Sequence, residues 1–253
     1  MIDLRDEHGP FDIIGDVHGC LDELLELLGK LGYRVEEQTG DYCVTPPAGR
    51  KAIFVGDLVN RGPKTPGVLR VAMAMAEAGN ALCVAGNHDF GLLKKLEGRS
   101  VEQLAAETRE FRDRVRTFLA GLPSHYVLDD GRLVVAHAGM KEEMQGRDSA
   151  EVRDFALYGQ PTGEIDERGR PVRIDWAADY RGTAMVVYGH TPVEHPRWVS
   201  GTINIDSGCV YGGRLTALRY PERALISVPA RRNYKNESCA NTRQKLPGAE
   251  TPI

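Results

Sequence analysis

Gly86-Asn87-His88-Asp89 sets a carbonyl oxygen, an imidazole and a carboxylate on consecutive residues. The apolar run before it, Ala81-Leu82-Cys83-Val84-Ala85, reads as a buried strand. Two other apolar runs end the same way. Phe11-Asp12-Ile13-Ile14 leads into Gly15-Asp16-Val17-His18-Gly19, and Ala52-Ile53-Phe54-Val55 leads into Gly56-Asp57-Leu58-Val59-Asn60-Arg61-Gly62. Three strand ends thus deliver Asp16, His18, Asp57, Asn87 and His88, at the edge where open α/β sheets carry chemistry. Oxygen and imidazole donors side by side suit a divalent metal ion. Two later runs also end in histidine: Val135-Ala136-His137-Ala138-Gly139 and Tyr188-Gly189-His190-Thr191.

The surrounding elements are legible in part. Leu21, Leu24, Leu25, Leu28 and Leu31 recur at helical spacing, so a helix over residues 20–31 ends at Gly32. Residues 33–50 read as a hairpin broken by Pro46-Pro47. Thr65-Pro66 opens a helix that stops at Gly79. Ser100 and Gln103 form a capping-box pattern, predicting one long helix to about Ala120. From Ser124 the chain turns to short strands, over residues 125–128, 132–136, 184–188, 202–205, 215–219 and 224–228. These predict a second, largely antiparallel sheet. A polar insert over residues 158–173 predicts a loop or hairpin near the site, and residues 1–10 a short polar leader. Residues 230–253 have few apolar side chains and no periodicity, which predicts a flexible tail or linker.

Bulk properties narrow the class. A chain of 253 residues with 42% hydrophobic residues can bury a sizeable core. A net charge of -4 argues against coating a polyanion, but not against holding one terminal phosphate. Five scattered cysteines make no disulfide framework. Neither a signal peptide nor a membrane-length apolar run is legible, so the expected location is the cytoplasm. Cys209 reads as a packing residue, and His8, His125 and His195 as structural or exposed.

In type and order the five motifs resemble those of the calcineurin-like metallophosphoesterases, phosphoprotein phosphatase branch, over residues 11–229. The family pattern is GDxHG, GDxxDRG, GNH[DE] and two later histidine motifs. The resemblance implies one α/β domain over residues 1–229, a four-layer α/β/β/α sandwich of two mixed sheets flanked by helices. It also implies two divalent metal ions, with Mn first and Ni, Fe or Zn as alternatives. Asp16 and His18 would hold one, Asn87, His137 and His190 the other, and Asp57 would bridge them. Two such ions about 3.5–4 Å apart clamp the attacking and leaving oxygens of a phosphate ester. A hydroxide shared between them would attack in line. Arg61 would clamp the phosphate with its planar fork, and His88 would protonate the leaving oxygen. Asp206 would stand behind the ligands and orient a histidine, or simply shape a turn.

The sequence departs from the pattern at Asn60, where the family usually has Asp. A carboxylate there would favour the charged, proton-donating form of His88, and an amide would not. The distal segments Phe155-Ala156-Leu157-Tyr158-Gly159, Asp179-Tyr180-Arg181-Gly182 and Asp206-Ser207-Gly208-Cys209 are similar to the central phosphatase module of bacterial polynucleotide kinase-phosphatase. That implies RNA repair, with 2'-, 3'- or 2',3'-cyclic phosphate ends or nucleotide phosphate esters as substrates. Kinase and ligase-like modules would be partners. The alternatives are a diadenosine tetraphosphate hydrolase, a serine/threonine protein phosphatase, or a regulatory module with an impaired site.

Overall fold

The computed structural model describes residues 2–97, 101–167 and 171–235. Two sheets form its centre. The first has five strands in the order Ala224–Pro229, Arg214–Tyr220, Phe11–Ile14, Lys51–Phe54 and Ala81–Cys83. The last three are parallel and share a register in which Ile13, Ile53 and Leu82 align. Their carboxyl ends therefore stop at one level. The second has six, in the order Asp3–Leu4, His125–Leu128, Leu133–Ala136, Met185–Tyr188, Thr202–Asn204 and Trp198–Val199.

Alternate residues of each strand point to opposite faces. Phe11, Ile13, Ile53 and Val55 meet Leu133, Val135, Val187 and Ile203 in a dry layer between the sheets. Ile14, Ala52 and Phe54 face outward against the helices Leu21–Leu31, Thr65–Glu77 and Arg109–Ala120. Val134, Ala136 and Val186 do the same under the helices Ala150–Tyr158 and Trp176–Asp179. The result is the four-layer α/β/β/α sandwich of two mixed sheets.

Several expectations need correction. The second sheet is not largely antiparallel: Leu133–Ala136, Met185–Tyr188 and Thr202–Asn204 run parallel. The strands Arg214–Tyr220 and Ala224–Pro229 belong to the first sheet, where Ala217 pairs with Ile14. Short apolar runs fix a strand's burial but not its partner. The leader supplies Asp3–Leu4, a parallel edge strand beside His125–Leu128. The hairpin joins Arg34–Gln38 to Asp41–Thr45 through Thr39-Gly40, both at positive φ, and Pro46-Pro47 merely follow it. The long helix starts late. Glu102–Leu104 is a single 3-10 turn, and the helix Arg109–Ala120 is capped by Thr108, whose Oγ1 accepts from Phe111 N at 3.2 Å. Ser100 lies outside the described residues.

Residues 231–234, expected in the tail, are tied to the fold. The Arg231 amide and the Tyr234 hydroxyl both donate to Glu23 Oε1, at 2.9 and 2.6 Å, and Tyr234 is buried. Residues 236–253 lie outside the described residues. Among the described residues no helix is long and apolar enough to cross a membrane.

Candidate metal centre and active site

The three parallel strands of the first sheet release their chains into tight loops that lace together. His18 N donates to Asp57 O at 2.8 Å, Gly19 N to Leu58 O at 2.9 Å and Gly62 N to His18 O at 2.9 Å. Gly86 is required here, because a Cβ on it would collide with the Asp57 amide. The loops hold strained backbone: His18, Asp57, Asn60, Arg61 and His190 have φ of 46°, 51°, 70°, 69° and 74°. Such conformations cost of order 1–3 kcal/mol each and persist only where the surroundings impose them. Thr65 contributes to this restraint. Its hydroxyl accepts from Asn60 N at 3.2 Å rather than capping the helix it begins.

Asn87 and His88 open the helix Asn87–Leu96, and Asp89 anchors that start. Its Oδ2 accepts from Gly86 N and its Oδ1 from Leu58 N, both at 3.0 Å, so one buried carboxylate fastens two of the loops. The second sheet contributes His137 and His190, from the ends of the neighbouring parallel strands Leu133–Ala136 and Met185–Tyr188.

All six residues expected as metal ligands converge. His137 Nδ1 donates to Val55 O at 3.1 Å, which leaves Nε2 without a proton. That nitrogen lies 3.0 Å from Asn87 Oδ1, 3.0 Å from His190 Nδ1 and 3.5 Å from Asp57 Oδ1. His18 Nδ1 likewise donates to Val59 O at 3.1 Å, and its Nε2 lies 3.4 Å from Asp57 Oδ2. Asp57, His137 and His190 form one compact ligand group and Asp16, His18 and Asp57 another. Asp57 is common to both.

These donor sets fit divalent cations. His137 Nε2 presents a lone pair to Asn87 Oδ1 and Asp57 Oδ1, an arrangement that is repulsive without a positive charge between them. With Nδ1 turned to the ligand group, His190 carries its ring proton on the buried Nε2, which has no hydrogen-bond partner. Burial, then Asp206 and Asp57, pushes the Asp16 carboxyl well up. Burial pushes Asp57 up to about 7, Asp206 to about 7 and Asp89 to about 8. The histidines move the other way: burial lowers His18, and lowers His88 to about 4, His137 to about 3 and His190 to about 2. Neutral imidazole is the form that binds a metal.

The remaining expected residues surround this centre. Arg61 Nη1 donates to His18 Nε2 at 2.7 Å, and its guanidinium lies 5.5 Å from the Tyr211 ring centroid. His88 N donates to Asp57 Oδ1 at 2.8 Å. Asn60 Nδ2 meets His88 Nδ1 at 3.0 Å, so the departure from the family pattern touches the ring it was expected to touch. Asp206 shapes a turn, accepting from Gly208 N at 3.0 Å, and its charge bears on Asp16. His137 and His18 are oriented by the carbonyls of Val55 and Val59, so of the two roles expected for Asp206 the turn is the one seen.

The sequence reading missed Asp89 and Arg173. Asp89 was visible beside the ligands, yet only the fold shows which amides it holds. Arg173 lies on the polar insert, which forms the hairpin Pro161–Ile165 with Pro171–Arg173. Val172 and Arg173 reach a cavity of about 490 Å³ shared with Asp57, Arg61, Asn87, His190 and Tyr211. No periodicity or motif marks that inward turn.

A fold of two facing sheets with an acceptor-lined metal centre at their strand ends defines a class of phosphoric ester hydrolases. The calcineurin-like phosphoesterase model matches residues 9–194, and the chain belongs to that family. It is a metal-dependent phosphoesterase. The asymmetrical bis(5'-nucleosyl)-tetraphosphatase PrpE of Anoxybacillus flavithermus is 44% identical over 241 residues, covering 90% of this chain and 97% of that protein. The enzyme of that name from Geobacillus thermodenitrificans is 46% identical over 233 residues, covering 87% and 94%. A crystal structure provisionally described as a diadenosine tetraphosphatase matches with a TM-score of 0.68 at 30% identity, covering 90% and 97%. The finer resemblance to polynucleotide kinase-phosphatase, and with it RNA repair, finds no support in these relatives.

Proposed function

We propose that the chain hydrolyses dinucleoside 5',5'-tetraphosphates asymmetrically, releasing a nucleoside triphosphate and a nucleoside monophosphate. The observation that carries this reading is the contact between Asn60 and His88. Asn60 Nδ2 also lies 3.4 Å from the His88 carbonyl, which can only accept, so the amide is oriented as a donor. His88 Nδ1 then accepts, and the single ring proton sits on Nε2. A neutral imidazole is a weak acid. A ribose oxygen departs as a basic alkoxide and needs a strong acid. The bridging oxygen of a phosphoanhydride departs on an already ionised phosphate chain and does not. The names of the relatives at 44% and 46% identity support the same substrate class.

In this reading Asp16, His18, Asp57, Asn87, His137 and His190 hold two divalent ions, Mn2+ first. The ions supply Lewis acidity and lower the pKa of water. Arg61, on the loop after Lys51–Phe54, and Arg173, on the hairpin, border the cavity and bind phosphoryl oxygens by charge-assisted hydrogen bonds. The N-terminus of the helix Asn87–Leu96 adds a favourable dipole for the anion. Water oxygen forms the new bond to phosphorus, the bridging P–O bond breaks, and His88 Nε2–H stabilises the departing oxygen.

The test is product analysis by anion exchange after incubation of the whole chain with diadenosine tetraphosphate and Mn2+. ATP and AMP in equal amounts are expected. ADP as the sole product would overturn the asymmetry. No turnover, beside hydrolysis of a 2',3'-cyclic nucleotide, would overturn the substrate class.

A further inference from the structure

A second cleft, of about 840 Å³, opens beside the reaction cavity. Its wall includes Lys141, Met144, Asp154, Phe155, Tyr158 and Gln160. Tyr158 is the last residue of the helix Ala150–Tyr158 and is 39% exposed, one of few large hydrophobic side chains so presented among the described residues. Phe155, one turn earlier, is buried and packs edge-on against Trp176, so the helix end is rigid beneath Tyr158. Lys141 Nζ is held at the cleft by Gln160 Oε1 at 2.9 Å and lies 5.3 Å from the Phe155 ring centroid.

The root of the hairpin joins the two spaces. Its first strand starts at Pro161, in the cleft wall, and its second ends at Arg173, in the reaction cavity. Arg173 Nε donates to the Tyr158 carbonyl at 2.7 Å. A guanidinium at the reaction cavity thus fixes the aromatic residue next to it. Arg173 lines the reaction cavity while holding the backbone of Tyr158, which lines the cleft.

We infer that this cleft is the subsite for the nucleoside remote from the phosphorus under attack, with its base stacked on Tyr158 and Lys141 against the adjoining phosphate. The inference rests on the tetraphosphatase reading. The components suit a nucleoside: a flat exposed ring for the base, the Asp154 carboxylate to accept from ribose hydroxyls or an exocyclic amine, and one ammonium for phosphate. A simple phosphate monoester lacks the second nucleoside that would occupy it. The cleft therefore separates a long dinucleotide from a small ester at the same metal centre.

The experiment compares Tyr158→Ala, Tyr158→Phe and Lys141→Ala with the parent chain, each with Mn2+, on diadenosine tetraphosphate and on p-nitrophenyl phosphate. Tyr158→Ala is expected to raise KM for the dinucleotide roughly tenfold, the worth of one base–aromatic stack, with kcat little changed. Tyr158→Phe should keep the parent KM, and Lys141→Ala should raise it by about fivefold at low salt and less at high salt. Kinetics with p-nitrophenyl phosphate should be unchanged in all three, which also reports that they fold. Unchanged KM in both alanine variants, with the parent active on the dinucleotide, would overturn the subsite alone. Equal losses on both substrates would make Tyr158 a structural residue and overturn it as well. No turnover of the dinucleotide by the parent would overturn the substrate reading and the subsite together.

Discussion

His125 and His137 occupy neighbouring places in one antiparallel strand pair, where His125 stands opposite Ala136. Both are fully buried, and burial holds both neutral, at about 4 and about 3. Their surroundings differ. His125 Nε2 accepts from Gly146 N at 2.9 Å, so its Nδ1–H is free to donate to Ser124 Oγ at 3.0 Å. Every polar atom of that ring is satisfied. The His137 ring spends its only proton on Val55 O and turns its lone pair toward Asn87 Oδ1, His190 Nδ1 and Asp57 Oδ1. Burial and a lowered pKa therefore do not distinguish a structural histidine from a ligand. Between these two rings the distinction is that the last lone pair of His125 faces a backbone donor, whereas that of His137 faces the Asn87 and Asp57 side-chain oxygens.

The largest expected effect tests this contrast directly. His137→Ala should lower kcat on the order of 10³-fold, beyond the roughly 10–100-fold that outer partners of metal ligands carry. His125→Gln should stay within about twofold, because no substrate or metal reaches it. Added Mn2+ should raise the melting temperature of the parent and of His125→Gln, but much less that of His137→Ala. Calorimetry with and without Mn2+ checks this, and an equal metal-induced rise in all three proteins would defeat the assignment.

The next effect is on stability and belongs to His125. Unfolded, its pKa is near 6.5, and folded it is about 4. Between those values the unfolded chain binds a proton that the fold refuses. Stability therefore rises with pH across this window and is lost as pH falls from about 6.5 toward 4. The shift corresponds to about 3 kcal/mol at most. Protonation would also turn the Gly146 N–H against a second donor. Urea unfolding at several pH values should show a shallower dependence in His125→Gln than in the parent. The same slope in both would mean that other groups govern acid sensitivity.

The sequence disclosed the centre of this molecule better than its frame. The convergence of Asp16, His18, Asp57, Asn87, His137 and His190 was legible because their residue types suit a divalent ion and because each sits just after an apolar run. Strand partners were not legible. Leu215 and Ala217 alternate with polar neighbours equally well in either sheet, and only the closing of the long-range core puts them beside Ile14. Arg173 was hidden for a related reason. Its direction is set by the Tyr158 carbonyl and by the hairpin register, neither of which leaves a local pattern. Tyr234 sits in a polar stretch that reads as tail, yet the buried Glu23 carboxylate gives it a partner across the fold.

His88 stands between the two extremes. Its Nδ1 is satisfied by Asn60, as the His125 ring is satisfied, while its Nε2–H is left for the substrate. Asn60→Asp changes only the satisfied side. A carboxylate accepts where the amide donated, so it moves the ring proton to Nδ1 and favours the charged form. Each unit by which the His88 pKa rises makes the imidazolium about tenfold more abundant above that pKa. Rates on an alkyl phosphate, whose leaving oxygen needs a proton, should then rise by up to about tenfold near neutral pH. Rates on diadenosine tetraphosphate and p-nitrophenyl phosphate should move by less than about twofold, because neither leaving group waits for a proton. The pH profile on the alkyl ester gives the decisive reading, since its alkaline limb should move to higher pH in Asn60→Asp. Equal gains on all three substrates would mean that Asn60 acts through the metal centre instead, by way of the His88 amide and Asp57.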